Sequence, residues 1–457
     1  MKEPRDKTYL FEEMPVRQAV LRQIAPSIAS QMVILLYNLA DTYFVGKLND
    51  PAQTAAVTVA YTVTVLMTAI ANLFAVGGAS CVAQALGRRS SENAKEISAI
   101  SFWCCLGSAV VFSALFACLA RPVLTFCGAT EETYHLAVRY AKWVVVVGGP
   151  ATILNVLLAN LVRVEGSAFA ASLGISLGGV VNIFLDPFFV LPGFLGLGAE
   201  GAGIATAISN GVSTLVLLGY LLSRRENSVL RLHPRYLRYT ARHIRRIVSI
   251  GIPSAVQYLL TMVAVGALNN FVAGYETAAV AALGIVKKCD MLPLYFSIGA
   301  ANGILPLLAY NFSAGNHQRR HKVFLCGCTI SVGFSLFCVV CYELFAPALI
   351  ALFMDDPATI AYGTKFLRIM VLAMPLMSVC YPMITQFQAM GRAKESLVCS
   401  VLRKGVLDIP LLFVMDKLIP LYGCTMVQPM VDSISMVVAI YFYRKIIREE
   451  QGRHPDR

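Results

Sequence analysis

Four polar side chains stand where a hydrocarbon environment disfavours them: Asp41, Asn182, Asp186 and Thr206. Asp186 lies inside VNIFLDPFFV, residues 181–190, surrounded by apolar neighbours. A charged group at the centre of a membrane helix costs about 2.5–3.5 kcal/mol on insertion scales, so it is rarely kept without a task. Asn182 precedes Asp186 by four residues, which puts both on one helical face. Two carboxylates, an amide and a hydroxyl offer the oxygen ligands of a hard cation such as sodium, which makes these four the candidate metal ligands. The same two carboxylates can equally hold one proton between them. The chemistry on offer is reversible cation capture, and it depends on helices that bring the four to one depth.

Those helices are legible in the composition. The 457 residues are 57% hydrophobic and 14% charged, against roughly 25% charged in soluble domains. Apolar runs of the ~20 residues needed to cross a bilayer recur along the whole chain. Twelve spans are predicted: 21–46, 54–82, 97–120, 136–160, 170–192, 199–222, 246–273, 278–310, 323–346, 362–388, 397–415 and 422–443. The expected fold is an all-α polytopic membrane protein with two pseudo-symmetric six-helix bundles. Its predicted parts are an N-terminal lobe at 1–222, a basic linker at 223–245, a C-terminal lobe at 246–445 and a tail at 446–457.

Charge sets the orientation. Of the 38 lysines and arginines, 29 fall in or near the tails and one set of alternate loops, with Arg163, Arg403 and Lys404 counted among the loop charges, and three (Lys47, Arg121, Lys417) on the other set. Such a bias places both termini in the cytoplasm and the chain in the cell membrane. The net charge of +12 therefore follows topology and does not indicate nucleic acid; membrane lipids are the expected neighbours of the arginine-rich linker. With this orientation Asp41, Asp186 and Thr206 lie at similar depth, roughly 8–10 Å below the outer boundary at 1.5 Å per helical residue.

The halves are related. APSIAS at 25–30 recurs as IPSAVQ at 252–257, and the block at 162–190 is echoed at 387–414. Parallel repeats are a transporter signature, with substrate bound between the bundles. The second half lacks the acidic pair, since Leu268 stands opposite Asp41 and Ile409 or Pro410 opposite Asp186. Its intramembrane charges are Lys287, Lys288, Asp290, Asp408 and Asp432; Lys287 and Asp290, three apart, are expected to neutralise each other.

Enzyme chemistry finds no support. GLGAEG at 196–201 fits GxGxxG but follows a membrane span, not a strand. There is no GxxxxGK[ST] or HExxH. The 13 cysteines lie mostly in apolar segments with no zinc-type spacing. No cofactor is expected beyond a coupling ion.

With LYNLADTYFVG at 36–46, VNIFLDPFFV at 181–190, GAGIATAIS at 201–209 and QAMGRAKES followed by IPLLFV in the second half, the chain resembles the multidrug and toxic compound extrusion (MATE) family. The resemblance is nearest the branch with its cation site in the N-terminal lobe. It implies export of amphipathic organic cations or drugs in exchange for inward sodium or protons, by a chain that works as a monomer. It assigns the cation site to Asp41, Asn182, Asp186 and Thr206, and a helix bend to Pro26. Tyr37, Gln257, Lys287 and Asp290 are candidate cavity residues. The seventh span shows Gln257 where another branch carries an acidic residue. A lipid-linked precursor flippase of related architecture is the alternative, with Lys287 and Lys288 as phosphate ligands.

Overall fold

The computed structural model describes residues 8–453 apart from 49, 225 and 227. It contains twelve helical crossings: α1 (Val16–Gly46), α2 (Pro51–Gly87), α3 (Ser91–Phe126), α4 (Glu131–Ala141 continuing through Lys142–Val147 and Gly149–Val164), α5 (Ala168–Val190) and α6 (Ala199–Ser223) form the first half. The second holds α7 (Thr240–Ala273), α8 (Thr277–Ser313), α9 (His317–Ala351), α10 (Pro357–Met370 with Ala373–Ala389), α11 (Ala393–Val401, Leu402–Val406 and Asp408–Leu418) and α12 (Tyr422–Arg453). No strand occurs among the described residues.

Among the described residues, nine helices are long and apolar enough to cross alone, and α4 and α10 are spans bent by 47° and 43°. Each bend has a local cause. In α4 it falls at Gly148-Gly149-Pro150, and in α10 just before Pro375, where a ring replaces the donor that would bond four residues back. α11 is interrupted at Leu402–Val406, where Lys404 leaves helical geometry at φ −132°, ψ 16°. α1, by contrast, runs through Pro26 as one continuous helix. Helices overrun the predicted spans, as α3 does at both ends, because backbone hydrogen bonding does not stop where the hydrocarbon does.

The linker is not a free connector. Trp103 Nε1 donates to the Leu232 carbonyl (2.8 Å), and Glu165 accepts from Ser228 Oγ (2.8 Å) and the Val229 amide (2.7 Å), which docks residues 228–232 onto α3 and α4. The predicted tail at 446–457 is also helical as far as Arg453, as the continuation of α12; residues 454–457 lie outside the described residues.

The two halves meet through α2 against α7 and α1 against α8, the same contact repeated by the pseudo-symmetry. Both are backbone-close on the side bearing the linker, called here the basic side. A Cβ on Gly77 would collide with the Ile247 carbonyl, and one on Gly251 with the Leu73 carbonyl. Cβ atoms on Gly299 and Gly303 would lie 2.7 Å from Cα of Ile28 and Ile24. The N-terminal turn straps this side: Arg319 donates to the carbonyls of Phe11 (2.7 Å) and Met14 (2.6 Å), and Tyr310 to Glu12 (2.8 Å). One hydrophobic core runs through the first half and the basic side of the second. The opposite half of the C-terminal lobe has its own core, from Val272 to Val431. The lobes are joined on the basic side and part on the other.

A side chain at position 251 should undo that closure. Gly251→Val forces its methyls against Leu73 backbone, an overpacking worth about 1–3 kcal/mol. The expected result is that Cys81, 3% exposed on the basic half of α2, passes from protected to alkylated, read by peptide mass mapping. Unchanged protection would show the contact to be dispensable.

Candidate cation and cargo sites

The first site is built on α5. Gly178 and Gly179 let two helices press on it: a Cβ on Gly179 would lie 2.6 Å from Val33 and 3.2 Å from Tyr37 of α1, and one on Gly178 2.7 Å from the Ser209 carbonyl of α6. One turn further, Asn182 points into the resulting junction, and Asp186 follows it on the same face. Both are buried, at 1% and 0% exposure. Asn182 Nδ2 donates to Asp186 Oδ1 at 3.2 Å. On α1, Asp41 is one turn from Tyr37 and close enough to Asp186 to repel it. Thr206 sits on α6 between Gly203, packed on Tyr140 of α4, and Ser209, packed on Gly178.

The decisive feature is what these groups lack. Asp186 Oδ2, Asp41 Oδ1 and Asn182 Oδ1 are buried without a hydrogen-bond partner, and among the described residues no basic side chain acts on either carboxylate. A buried acceptor left unpaired costs about 1–3 kcal/mol, more when charged. Three such oxygens, one on α1 and two on one face of α5, fit a group that arrives from outside: a proton on a carboxyl, or a sodium ion.

Two aromatic residues complete the pocket. Tyr140 feels Asp41, Asp186, Tyr37 and Tyr61, so α4 also faces the acids, with Tyr61 of α2 beside Tyr37 and Tyr140. Neither Tyr140 nor Tyr61 stands out in the sequence, where an aromatic residue in an apolar span carries no local signal. Tyr37 and Tyr61 extend into a larger group. Tyr295 of α8 is near Tyr61, Tyr37 and Tyr258 of α7, and Tyr258 is near Tyr381 of α10. Asn38 Nδ2 bonds Tyr295 Oη across the lobes at 3.3 Å. Five tyrosines from five helices thus gather where the halves meet, and ring faces of this kind attract organic cations.

The C-terminal lobe is arranged differently from expectation. Lys287 does not pair with Asp290; its Nζ donates to Asn269 Oδ1 of α7 at 2.5 Å. Arg403 and Lys404, read as loop charges, lie inside the broken α11. Arg403 Nε meets Asp432 Oδ1 of α12 at 2.7 Å with both side chains almost fully buried, and the guanidinium lies 4.5 Å from the Tyr381 ring centroid. Gln428 bridges the network, donating to Asp432 Oδ2 and accepting from Lys404 Nζ, each at 2.7 Å. Asp290 is within electrostatic reach of Lys404, Arg403 and Lys287. Gln257 is 8% exposed and faces Ser400 at 3.5 Å. Asp290, Asp408 and Asp432 therefore have internal cations, whereas among the described residues Asp41 and Asp186 have none.

Comparison with known proteins agrees with this architecture. The chain is 27% identical to the multidrug export protein MepA of Staphylococcus saprophyticus over 444 residues, covering 96% of each chain. It is 26% identical over 437 residues to MepA of Staphylococcus aureus, covering 95% of each. A solved outward-facing multidrug resistance MATE family transporter of the MOP superfamily superposes with a TM-score of 0.90 at 24% identity, over 97% of this chain and 98% of that one. The MatE sequence model matches twice, at 26–188 and 253–414, and each match opens on the proline inside the first helix of its half. Twelve crossings and a doubled match over most of the chain lead to one conclusion: this chain is a member of the MatE family of multi-pass membrane transporters.

Proposed function

We propose that the protein exports amphipathic organic cations from the cell in exchange for inward protons or sodium ions, with the basic side in the cytoplasm. The reading rests on one observation: three buried, unpartnered oxygens of Asp41, Asn182 and Asp186 with no basic neighbour. The lobes part on the side away from the linker, which in this orientation is the outside. An ion entering from there neutralises the acids. Asp41 and Tyr37 share a turn of α1, so the acid pocket and the tyrosine group communicate through one helix. Coupling follows when the ion-filled and ion-free states differ in affinity for cargo; equal affinity would move nothing.

The test is uptake of a dye cation by proteoliposomes under a pH gradient or a sodium gradient imposed separately. Accumulation against the dye gradient under one of them is the expected result, and it names the ion. If neither drives transport, the exchange mechanism fails and a phosphate-bearing lipid precursor becomes the cargo to assay, with Lys287 and Lys288 as its ligands.

A further inference from the structure

A groove of about 340 Å³ runs between the starts of α7 and α11 on the basic side, away from both sites described above. Arg245, Ser249 and Lys394 stand at its mouth, and Ile252, Pro253 and Leu397 form its wall. The placement follows from helical spacing. Residues 245, 249 and 252 share one face of α7, while Ile247, Ile250 and Gly251 occupy the other and are buried against the first lobe. The groove therefore opens to the surroundings of the protein, with Ile252 39% exposed beside it.

Charge and polarity change along it within two turns. Arg245 and Lys394 both precede long apolar stretches that enter the bilayer from the same side, which sets them at headgroup depth. Among the described residues neither has an ion-pair partner. Two carboxylates on this side are engaged elsewhere, with Glu395 3.5 Å and Glu449 2.8 Å from Arg392, and Arg246 is turned to Gln84. Ala393, at the first turn of α11, also lines the groove, and no side chain caps that helix end. Its free amides add partial positive charge where the two side chains already supply a whole one each. Below them the wall is hydrocarbon. A cationic mouth over an apolar slot matches a molecule with an anionic head and an acyl tail, and clefts of this kind on the cytoplasmic face select anionic lipids.

We infer that this groove binds one anionic phospholipid, its phosphate between Arg245 and Lys394 and an acyl chain against Ile252, Pro253 and Leu397. The site has a structural consequence. The lipid backs the face of α7 opposite Gly251, so occupancy holds α7 against α2 and favours the conformation closed on the basic side.

The experiment is native mass spectrometry and thermal unfolding of the full chain in detergent with added phosphatidylglycerol, phosphatidylcholine or soluble glycerol phosphate. Phosphatidylglycerol should be retained and should raise the unfolding temperature, and the other two should do neither. Arg245→Gln with Lys394→Gln should weaken phosphatidylglycerol binding about 30-fold, from roughly tenfold or less per charge near the surface. Arg444→Gln with Lys445→Gln removes the same charge from α12 and should bind as the wild type does. Ser249→Phe, which fills the slot and keeps both cations, should also lose the lipid, and it decides the matter should the charge variant fail to fold. Equal retention by wild type and both groove variants would overturn the site. Loss of equal size in the α12 variant would reduce it to general surface charge, and stabilisation by glycerol phosphate alone would replace the lipid with a free phosphate ligand.

Discussion

Asp186→Asn should abolish the proposed gradient-driven export and leave the protein folded; Asp41→Asn should do the same. The amide keeps the size and most of the hydrogen bonding of the carboxyl but cannot exchange a charge. An ion that moves a carrier from one dominant state to the other must discriminate between them by about 10⁴-fold, so loss of its site should cut coupled transport by about 100-fold or more. Stability moves the other way. Asp186 is fully buried with Oδ2 unpartnered, and an amide there removes an uncompensated buried charge, so the melting temperature should hold or rise. Proteoliposome uptake under the coupling gradient, with thermal unfolding of the same preparations, checks both halves. Gradient-driven uptake persisting in both variants would end the exchange scheme, and collapse of folding would show the acids to be structural.

Arg403→Met should produce the second large effect, on stability. Arg403 and Asp432 form a buried pair at 2.7 Å. Removing one partner from such a pair costs about 3–5 kcal/mol, because the other charge is left uncompensated. Asp432→Asn should cost a similar amount. The double variant should recover most of the loss, since two neutral groups leave no orphaned charge, and a favourable coupling in the double-mutant cycle of denaturation midpoints is the expected signature. Additive losses would mean that Gln428 and Tyr381 hold Arg403 independently of Asp432.

The two lobes thus use carboxylates in opposite ways, and only one of those uses is visible along the chain. Asp41 and Asp186 attract notice in sequence because they interrupt apolar runs, and counting residues from the span ends places them at one depth. That route needs no knowledge of partners. Arg403 and Lys404 resist it: two adjacent cations look like the edge of a span, and the acid that neutralises Arg403 lies 29 residues away on another helix. Lys287 and Asp290 mislead for the same reason, as helical spacing makes them neighbours while Asn269, on a different helix, takes the ammonium. Arg163, counted as a loop charge, is only 2% exposed and reaches Ser30 at 3.4 Å. Hydropathy reports where a helix meets lipid, and it is silent on which helix faces which. Tyr61, Tyr140, Tyr258, Tyr295 and Tyr381 fall in that silence, as does the interruption of α11, which has no proline at Leu402–Val406 to announce it.

The paired glycine contacts bear on how well the host membrane holds its voltage. At Gly77, Gly251, Gly299 and Gly303 one backbone rests directly on another, and such contact leaves no width for a file of water along which protons could hop. Because pseudo-symmetry puts both contacts on one side and each joins one lobe to the other, rigid rocking of the lobes must release them together. A partial leak would need one to open while its twin stayed shut, and two stiff bodies turning about a common axis do not provide that state. Under the proposed exchange scheme the protein can then face a steep ion gradient and still insulate, dissipating nothing until the lobes turn.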